Sequence, residues 1–426
     1  MADVALWSLN AVDQAPLPHI VRAEQWHYVD ATGATYIDAV SGHWSVVLGH
    51  GIESIANAVV EQLRTLDFVP LVRGTHPAAM ELSERLADLA PGDLRHVFFG
   101  TSGTEAVESA LKFTRLYFHR TGSPQRSKVV YLDGAYHGSS LGSLSASGDD
   151  NDHKLFGPLL PGFVRAPIPA RSAGQEHLVD AIAEIVEREG PARVAAVLFE
   201  PVIGSAGVLI PPDGWLRALR ELCDRYGILL IADEVSTGYG RTGPFFAVER
   251  EQIVPDILIA GKAITNAYFP LSATIVRPHV YDVCTAGGTL RIAHDYTCGG
   301  HPAGCAAALE VLRLFEDEDV FASARAASAH LLTRLKSLCE LPCVKEVRGL
   351  GLMVALQLRP EEFHERYRQD DTDELLREAF LDNGVLCSLR DSVLKLLPAF
   401  TIPLSYIDTV VDAISYVLDG AVRGSL

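Results

Sequence analysis

The chain is poor in cysteine and spreads what it has: seven residues among 426, from Cys223 to Cys387, with no Cys-x-x-Cys pair and no His/Cys cluster. An odd count without framework spacing excludes a disulfide scaffold and implies reduced thiols, hence a cytoplasmic protein. Cys339 and Cys343 lie near each other, but no second ligand pair follows, so no metal site is expected. Basic residues are in the minority. The 36 Lys and Arg against 54 Asp and Glu leave a net charge of −18, which argues against nucleic acid and anionic membranes as partners. No apolar run approaches the ~20 residues of a membrane span. The opening MADVALWSLN carries Asp3 and lacks a basic start and a long apolar core, so no secretory signal is expected there.

What is present is an ordinary globular composition, 48% hydrophobic and 21% charged, in a chain too long for one core. Two domains are expected. Residues 24–39 alternate apolar with polar and turn at Thr32-Gly33, the pattern of a β-hairpin. Ser41 to Gly51 is a glycine-punctuated loop carrying Trp44, either as packing or as the aromatic wall of a pocket. From there to Phe315 helical spacing alternates with short apolar runs, interrupted by residues 148–175, which are rich in Gly, Pro, Asp and Ser and read as an irregular loop. Beyond it come a long helix, a strand pair around Arg348-Gly349-Leu350-Gly351, further strands over Val385–Leu397 and a closing helix. These patterns predict a central α/β domain and a smaller domain built from both termini, with divisions at 1–55, 56–309 and 310–426.

The run Ile228–Ile231 leads through Ala232 to Asp233 and Glu234, and a second run, Asp256–Gly261, ends in Lys262. Short apolar runs of this kind suit strands buried on both faces. Each then delivers a charge to its carboxyl end, where open α/β sheets bind ligands. One carboxylate and one lysine so placed suit pyridoxal phosphate, whose aldehyde a lysine takes as a Schiff base and whose ring nitrogen an acid keeps protonated. The competing reading is that Asp233 caps a turn and Lys262 is a solvated loop lysine.

Other parts of such a site are present. The strand-like His96–Phe99 opens into Gly100-Thr101-Ser102-Gly103-Thr104-Glu105 and then a helix, an arrangement that offers free backbone N–H groups to a phosphate. The same residues also read as an ordinary helix cap, and the two readings are compatible. Tyr136 and His137 follow the strand-like Lys128–Leu132, either to stack on a flat ring or as a packed surface loop. Glu200 is another acid at a strand end. Gly238-Tyr239-Gly240-Arg241-Thr242-Gly243 fits the glycine pattern of a nicotinamide-dependent dehydrogenase, but Pro244-Phe245-Phe246 do not start a helix of the kind that motif requires.

Taken together, FFGTSGTEAVESALK, AYHG, FEPVIGSAG, LLIADEVSTGYGRTG, PDILIAGKAI and TCGGHPAGCAAAL resemble, in order, the class III pyridoxal-phosphate-dependent aminotransferases of fold type I. The resemblance runs from Trp26 to the final helix. It implies a large α/β domain with a mostly parallel sheet, a small α+β domain from both termini, and a ping-pong transfer of an amino group from a donor to an aldehyde or ketone. Lys262 matches the Schiff-base lysine and proton carrier, and Asp233 the partner of the pyridine nitrogen. Val235 and Tyr136 match the residues on the two ring faces, with His137 and Gly138 shaping the turn beneath Tyr136. Ser102, Gly103 and Thr104 match the phosphate cup, and Glu200 a supporting glutamate. Thr297 resembles the threonine that reaches the phosphate from a neighbouring subunit, which implies a homodimer with shared sites.

The loop Ser41–Gly51 resembles that of the ω-amine transaminases, which places Trp44 in the pocket wall. The family's carboxylate-binding residues are not matched. Ser205 stands where some relatives carry a glutamate, Lys395 where they carry an arginine, and Arg390 is offset by two from a further arginine position near Ser388. An acceptor lacking an α-carboxylate follows as the expectation. Decarboxylating transaminases, aminomutases and epimerases of the same family share these motifs.

Overall fold

A computed structural model of the chain describes residues 18–168, 177–287, 292–316, 318–367 and 372–426. The opening decapeptide and the end of the 148–175 stretch lie outside the described residues. Two compact units are formed, Glu53–Phe321 and, separately, the residues up to Ile52 with Ala322–Leu426.

The larger unit is built on a seven-stranded sheet. From edge to edge its strands are His96–Gly100, Ser272–Val276, Ile257–Ala260, Leu229–Asp233, Val194–Phe199, Lys128–Leu132 and Phe163–Ala166. The last five are mutually parallel, and only Ser272–Val276 runs against its neighbours. Its reversal has a local cause. The connection 261–271 is too short for a crossover helix, so the chain turns back beside the strand it has just left. Every residue of VAAVLF, LLIAD and ILIA in the three central strands is buried, which is why they read as unbroken apolar runs.

The helix Trp215–Tyr226 shows how sequence sets up the next strand. Trp215, Leu216, Leu219, Leu222 and Cys223 are buried along one face, and Gly227 ends the helix in the left-handed region at φ 60°. The chain then enters Leu229–Asp233. The stretch expected to be an irregular loop holds two elements, the helix Asp150–Phe156 and the strand Phe163–Ala166. The helix starts because Asp149 accepts hydrogen bonds from the amides of Asn151 (2.8 Å) and Asp152 (3.4 Å). The strand is drawn out by its parallel partner Lys128–Leu132, a non-local cause invisible in its own four residues.

The smaller unit carries two four-stranded sheets. One orders Ile20–Glu24, His27–Asp30, Thr35–Asp38 and Val385–Leu386, so that the expected hairpin is joined in parallel by a strand from the other end of the chain. The other orders Val344–Leu350, Met353–Leu358, Val393–Leu396 and Ser388–Arg390. The architecture is that of a large, mostly parallel α/β unit and a small α+β unit drawn from both ends of the described chain. No helix among the described residues is long and apolar enough to cross a membrane.

Candidate active site

Asp233 is the last residue of its strand and pairs across to Ile259 of the neighbouring strand, three residues before Lys262. Parallel register therefore brings the acid and the lysine to the same edge of the sheet, at the carboxyl ends of adjacent strands. Asp233 is buried. Its Oδ2 lies 2.7 Å from His137 Nδ1, and its Oδ1 accepts from the Val235 amide at 3.1 Å. An ionised carboxylate can only accept, so against that form of Asp233 it is His137 Nδ1 that donates. His137 Nε2 is buried without a hydrogen-bond partner among the described residues.

The turn carrying Tyr136 and His137 is held from several sides. Glu200 Oε1 accepts from the Tyr136 amide at 3.0 Å while its Oε2 accepts from the Gly204 amide at 3.1 Å. The His137 amide donates to Ser147 Oγ at 3.0 Å. Burial pushes the Glu200 carboxyl above the usual carboxylate range, with Asp233 adding to the rise and His137 opposing it. The backbone of this turn is thus fixed, yet Tyr136 remains 44% exposed. An open aromatic on a pinned backbone is a surface on which a flat ring can stack.

Ser102 caps the helix Gly103–Arg120, its Oγ accepting from the Glu105 amide at 3.2 Å, and Glu105 reaches back to the Thr101 amide at 2.6 Å. Both sequence readings of this stretch therefore coexist, since a capped helix start still points N–H groups and its positive dipole end outward. Two close approaches lock this helix start into the site. A Cβ on Gly138 would lie 2.6 Å from Thr104 Oγ1, and one on Gly103 would lie 3.1 Å from Val235 Cγ1. Gly138 also has φ 129°, so it is a position where only glycine fits without strain.

Lys262 opens a short 3-10 turn, Lys262–Thr265, from the left-handed region at φ 44°. Its Nζ donates to Ser236 Oγ at 2.6 Å. Asp233 does cap a local turn through the Val235 amide, but it is also buried against His137, and Lys262 is tethered to Ser236. A buried acid, a tethered amine at the next strand end and a hydroxyl-bearing helix start are the donor set that pyridoxal phosphate requires.

Thr297 lies in a loop tied to the helix Gly103–Arg120: Tyr296 OH donates to the Glu105 carbonyl at 2.9 Å, and His294 Nδ1 accepts from Lys112 Nζ at 2.7 Å. Thr297 itself is exposed. Ser205 is exposed in the loop beyond Glu200. Trp44 and Arg390 belong to the smaller unit. There Trp44 is buried, with Lys395 Nζ 5.6 Å from its ring centroid. Arg390 is exposed, its Nε 3.4 Å from the Asp391 carboxylate. The glycine pattern from Gly238 leads into the 3-10 turn Ala247–Glu251, not an α-helix, so the dinucleotide reading is not favoured. Ser236 escaped the sequence reading; its signal was a hydroxyl three positions past the strand-end acid.

Comparison with known proteins agrees with this chemistry. The family described as aminotransferase class-III matches residues 9–418. A probable aminotransferase of Mycobacterium tuberculosis is 38% identical over 401 residues, 91% of this chain and 86% of that protein. The crystal structure of a thermostable (S)-enantioselective omega-transaminase from Thermomicrobium roseum superposes with a TM-score of 0.92 at 34% identity, covering 99% of this chain and 96% of that one. An amine transaminase from an uncultivated Pseudomonas species, solved in its PLP-bound form, gives a TM-score of 0.91 at 33% identity and covers 99% of both chains. The chain therefore belongs to the class III aminotransferases, enzymes of fold type I that move amino groups with pyridoxal phosphate.

Proposed function

We propose that this aminotransferase works on amines, with Lys262 and Asp233 as the residues acting on its cofactor and with an acceptor aldehyde or ketone that lacks an α-carboxylate. The observation that carries this reading is the pairing of strand ends: Asp233 closes one strand, buried against His137, and Lys262 follows the end of the adjacent parallel strand, its amine donating to Ser236.

When bound, pyridoxal phosphate supplies an aldehyde carbon for an amine and a protonated ring that withdraws electrons. Asp233 would pair with the ring nitrogen and Lys262 Nζ would take the aldehyde. Ser102, Gly103 and Thr104 would cradle the phosphate, with Tyr136 and Val235 on the ring faces and Glu200 and His137 behind them. In each half of the ping-pong cycle the Lys262 amine, once free of the cofactor, would take a proton from one carbon and return it to another two bonds away. His137 keeps the Asp233 carboxylate in one orientation, so that its charge meets the ring nitrogen without reorganisation.

Thr297 is exposed in its own chain, which suits a role at the phosphate of a second copy in a homodimer with shared sites. Trp44 is assigned to the substrate pocket wall. Arg390, exposed and beside Asp391, makes a poor carboxylate fork, and this favours carboxylate-free substrates. A cytoplasmic location, and a small domain formed from residues 1–55 with 310–426, complete the reading.

The test follows the yellow absorbance of the protein loaded with pyridoxal phosphate while carboxylate-free amines and α-amino acids are added in turn. The expected result is loss of the yellow band with an amine and its return on adding an aldehyde or ketone. Protein that takes up no cofactor, or whose band no amine alters, overturns the proposal.

A further inference from the structure

The Ser236 hydroxyl accepts a hydrogen bond from the Lys262 amine. The 2.6 Å separation is at the short end for an N–H···O contact and in keeping with a charge-assisted bond. Both ends of the contact rest on backbone that is fixed independently. On one side, the Val235 amide donates to Asp233 Oδ1 at 3.1 Å, and the Val235 side chain fills the space between Gly103 and Gly261, where a Cβ would meet it at 3.1 and 3.4 Å. Just past Ser236, Thr237 Oγ1 donates to the buried Glu234 carboxylate, and the Gly238 amide to the Glu234 carbonyl at 2.9 Å. On the other side, Lys262 leaves an extended Gly261 in the left-handed region, and the turn is closed by the Ile264 amide on the Gly261 carbonyl at 3.0 Å. The flexible lysine stem spans the distance between these two supports.

We propose that Ser236 is a positioning residue for Lys262, holding its amine at one place in both protonation states and favouring the protonated one. This rests on Lys262 being the lysine that carries the proton. A serine hydroxyl accepts from an ammonium and donates to a neutral amine, so the same partner serves the lysine before and after it gives up its proton. A proton carrier that must act twice in each half-cycle gains from being returned to one position between the two transfers. Val235 and Thr237 cannot do this: one is apolar and the other is engaged with Glu234.

The proposal is tested on cofactor-free protein. The pH dependence of acetylation at Lys262 is read by peptide mass spectrometry in wild type, Ser236→Ala and Ser236→Thr. Loss of an acceptor to the ammonium moves the midpoint of the Ala variant to lower pH by about one unit, and Thr restores it. In the loaded enzyme the Ala variant lowers kcat about tenfold with a smaller change in KM. An Ala midpoint equal to wild type, in protein that melts at the wild-type temperature, overturns the proposal; so does a shift that Thr fails to reverse. If the Ala variant melts early, Ser236→Cys, with its weaker acceptor, takes its place, and an unmoved midpoint there counts equally against it. Borohydride trapping of the loaded protein is a separate reading: cofactor fixed to a lysine other than Lys262 overturns the role of Lys262, not the contact with Ser236.

Discussion

His137 Nδ1 and Asp233 Oδ2 stand 2.7 Å apart with both side chains buried, 96 positions apart in sequence. The imidazole is what makes a buried strand-end carboxylate tolerable, because an unpaired charge there would lose its hydration without replacement. Removing the imidazole leaves the acid short of a donor. His137→Ala is expected to destabilise the protein by about 1–3 kcal/mol and to weaken retention of pyridoxal phosphate, as read by thermal unfolding and by cofactor titration. An unaltered melting temperature would show that the pair contributes nothing to the fold.

Asp233→Asn keeps the shape and removes the charge. A kcat lower by about 100-fold or more is expected, with cofactor still bound, since the missing term is electrostatic. Steady-state kinetics with a fixed amine donor measures it, and activity within a few-fold of wild type would separate Asp233 from the ring nitrogen.

Lys262→Ala is expected to abolish turnover and borohydride-fixed cofactor together. Retention of either would move the reactive amine to another lysine.

Gly138→Ala puts a Cβ 2.6 Å from Thr104 Oγ1 and 2.7 Å from Ser143 Oγ at a residue with φ 129°. Strain of about 1–3 kcal/mol is expected. Because the clash lies at the helix start assigned to the phosphate, cofactor affinity falls along with the melting temperature. A loss of stability alone would detach this turn from cofactor binding.

Glu234 is fully buried, receiving Thr237 Oγ1 on one oxygen and the Val248 amide on the other at 2.9 Å. Burial pushes its carboxyl up to about 7, against the lowering effect of those hydrogen bonds. An acid whose folded value lies above its unfolded one, about 4.3, holds its proton more tightly in the native state. Its contribution to stability is therefore greatest below pH 4.3, declines as pH rises towards 7, and is level above that. Over that window about 4 kcal/mol is at stake. Glu234→Gln mimics the neutral acid, so its stability relative to wild type is expected to rise between pH 5 and pH 8 in denaturant melts. A pH-independent difference would place the titration elsewhere.

Much of this site was legible in residue order because parallel sheets deposit chemistry at strand ends. The apolar runs before Asp233 and Lys262 announce buried strands, and a charge at the end of a buried strand is rarely idle. Ser102 and Thr104 were legible as a helix start for the same local reason. The elements at 150–156 and 163–166 were not, because one depends on the Asp149 cap amid turn-forming residues and the other on a strand partner some thirty residues away.

The family, the cofactor and most of the strands and helices follow from residue order alone, since periodicity and short motifs are local properties of the chain. Tertiary structure alone decided that His137 stabilises Asp233, that Gly138 lets a loop close on Thr104, and that Ser236 meets Lys262. These are contacts between residues far apart in the chain, set by strand register and close packing. No local pattern encodes a distance of that kind.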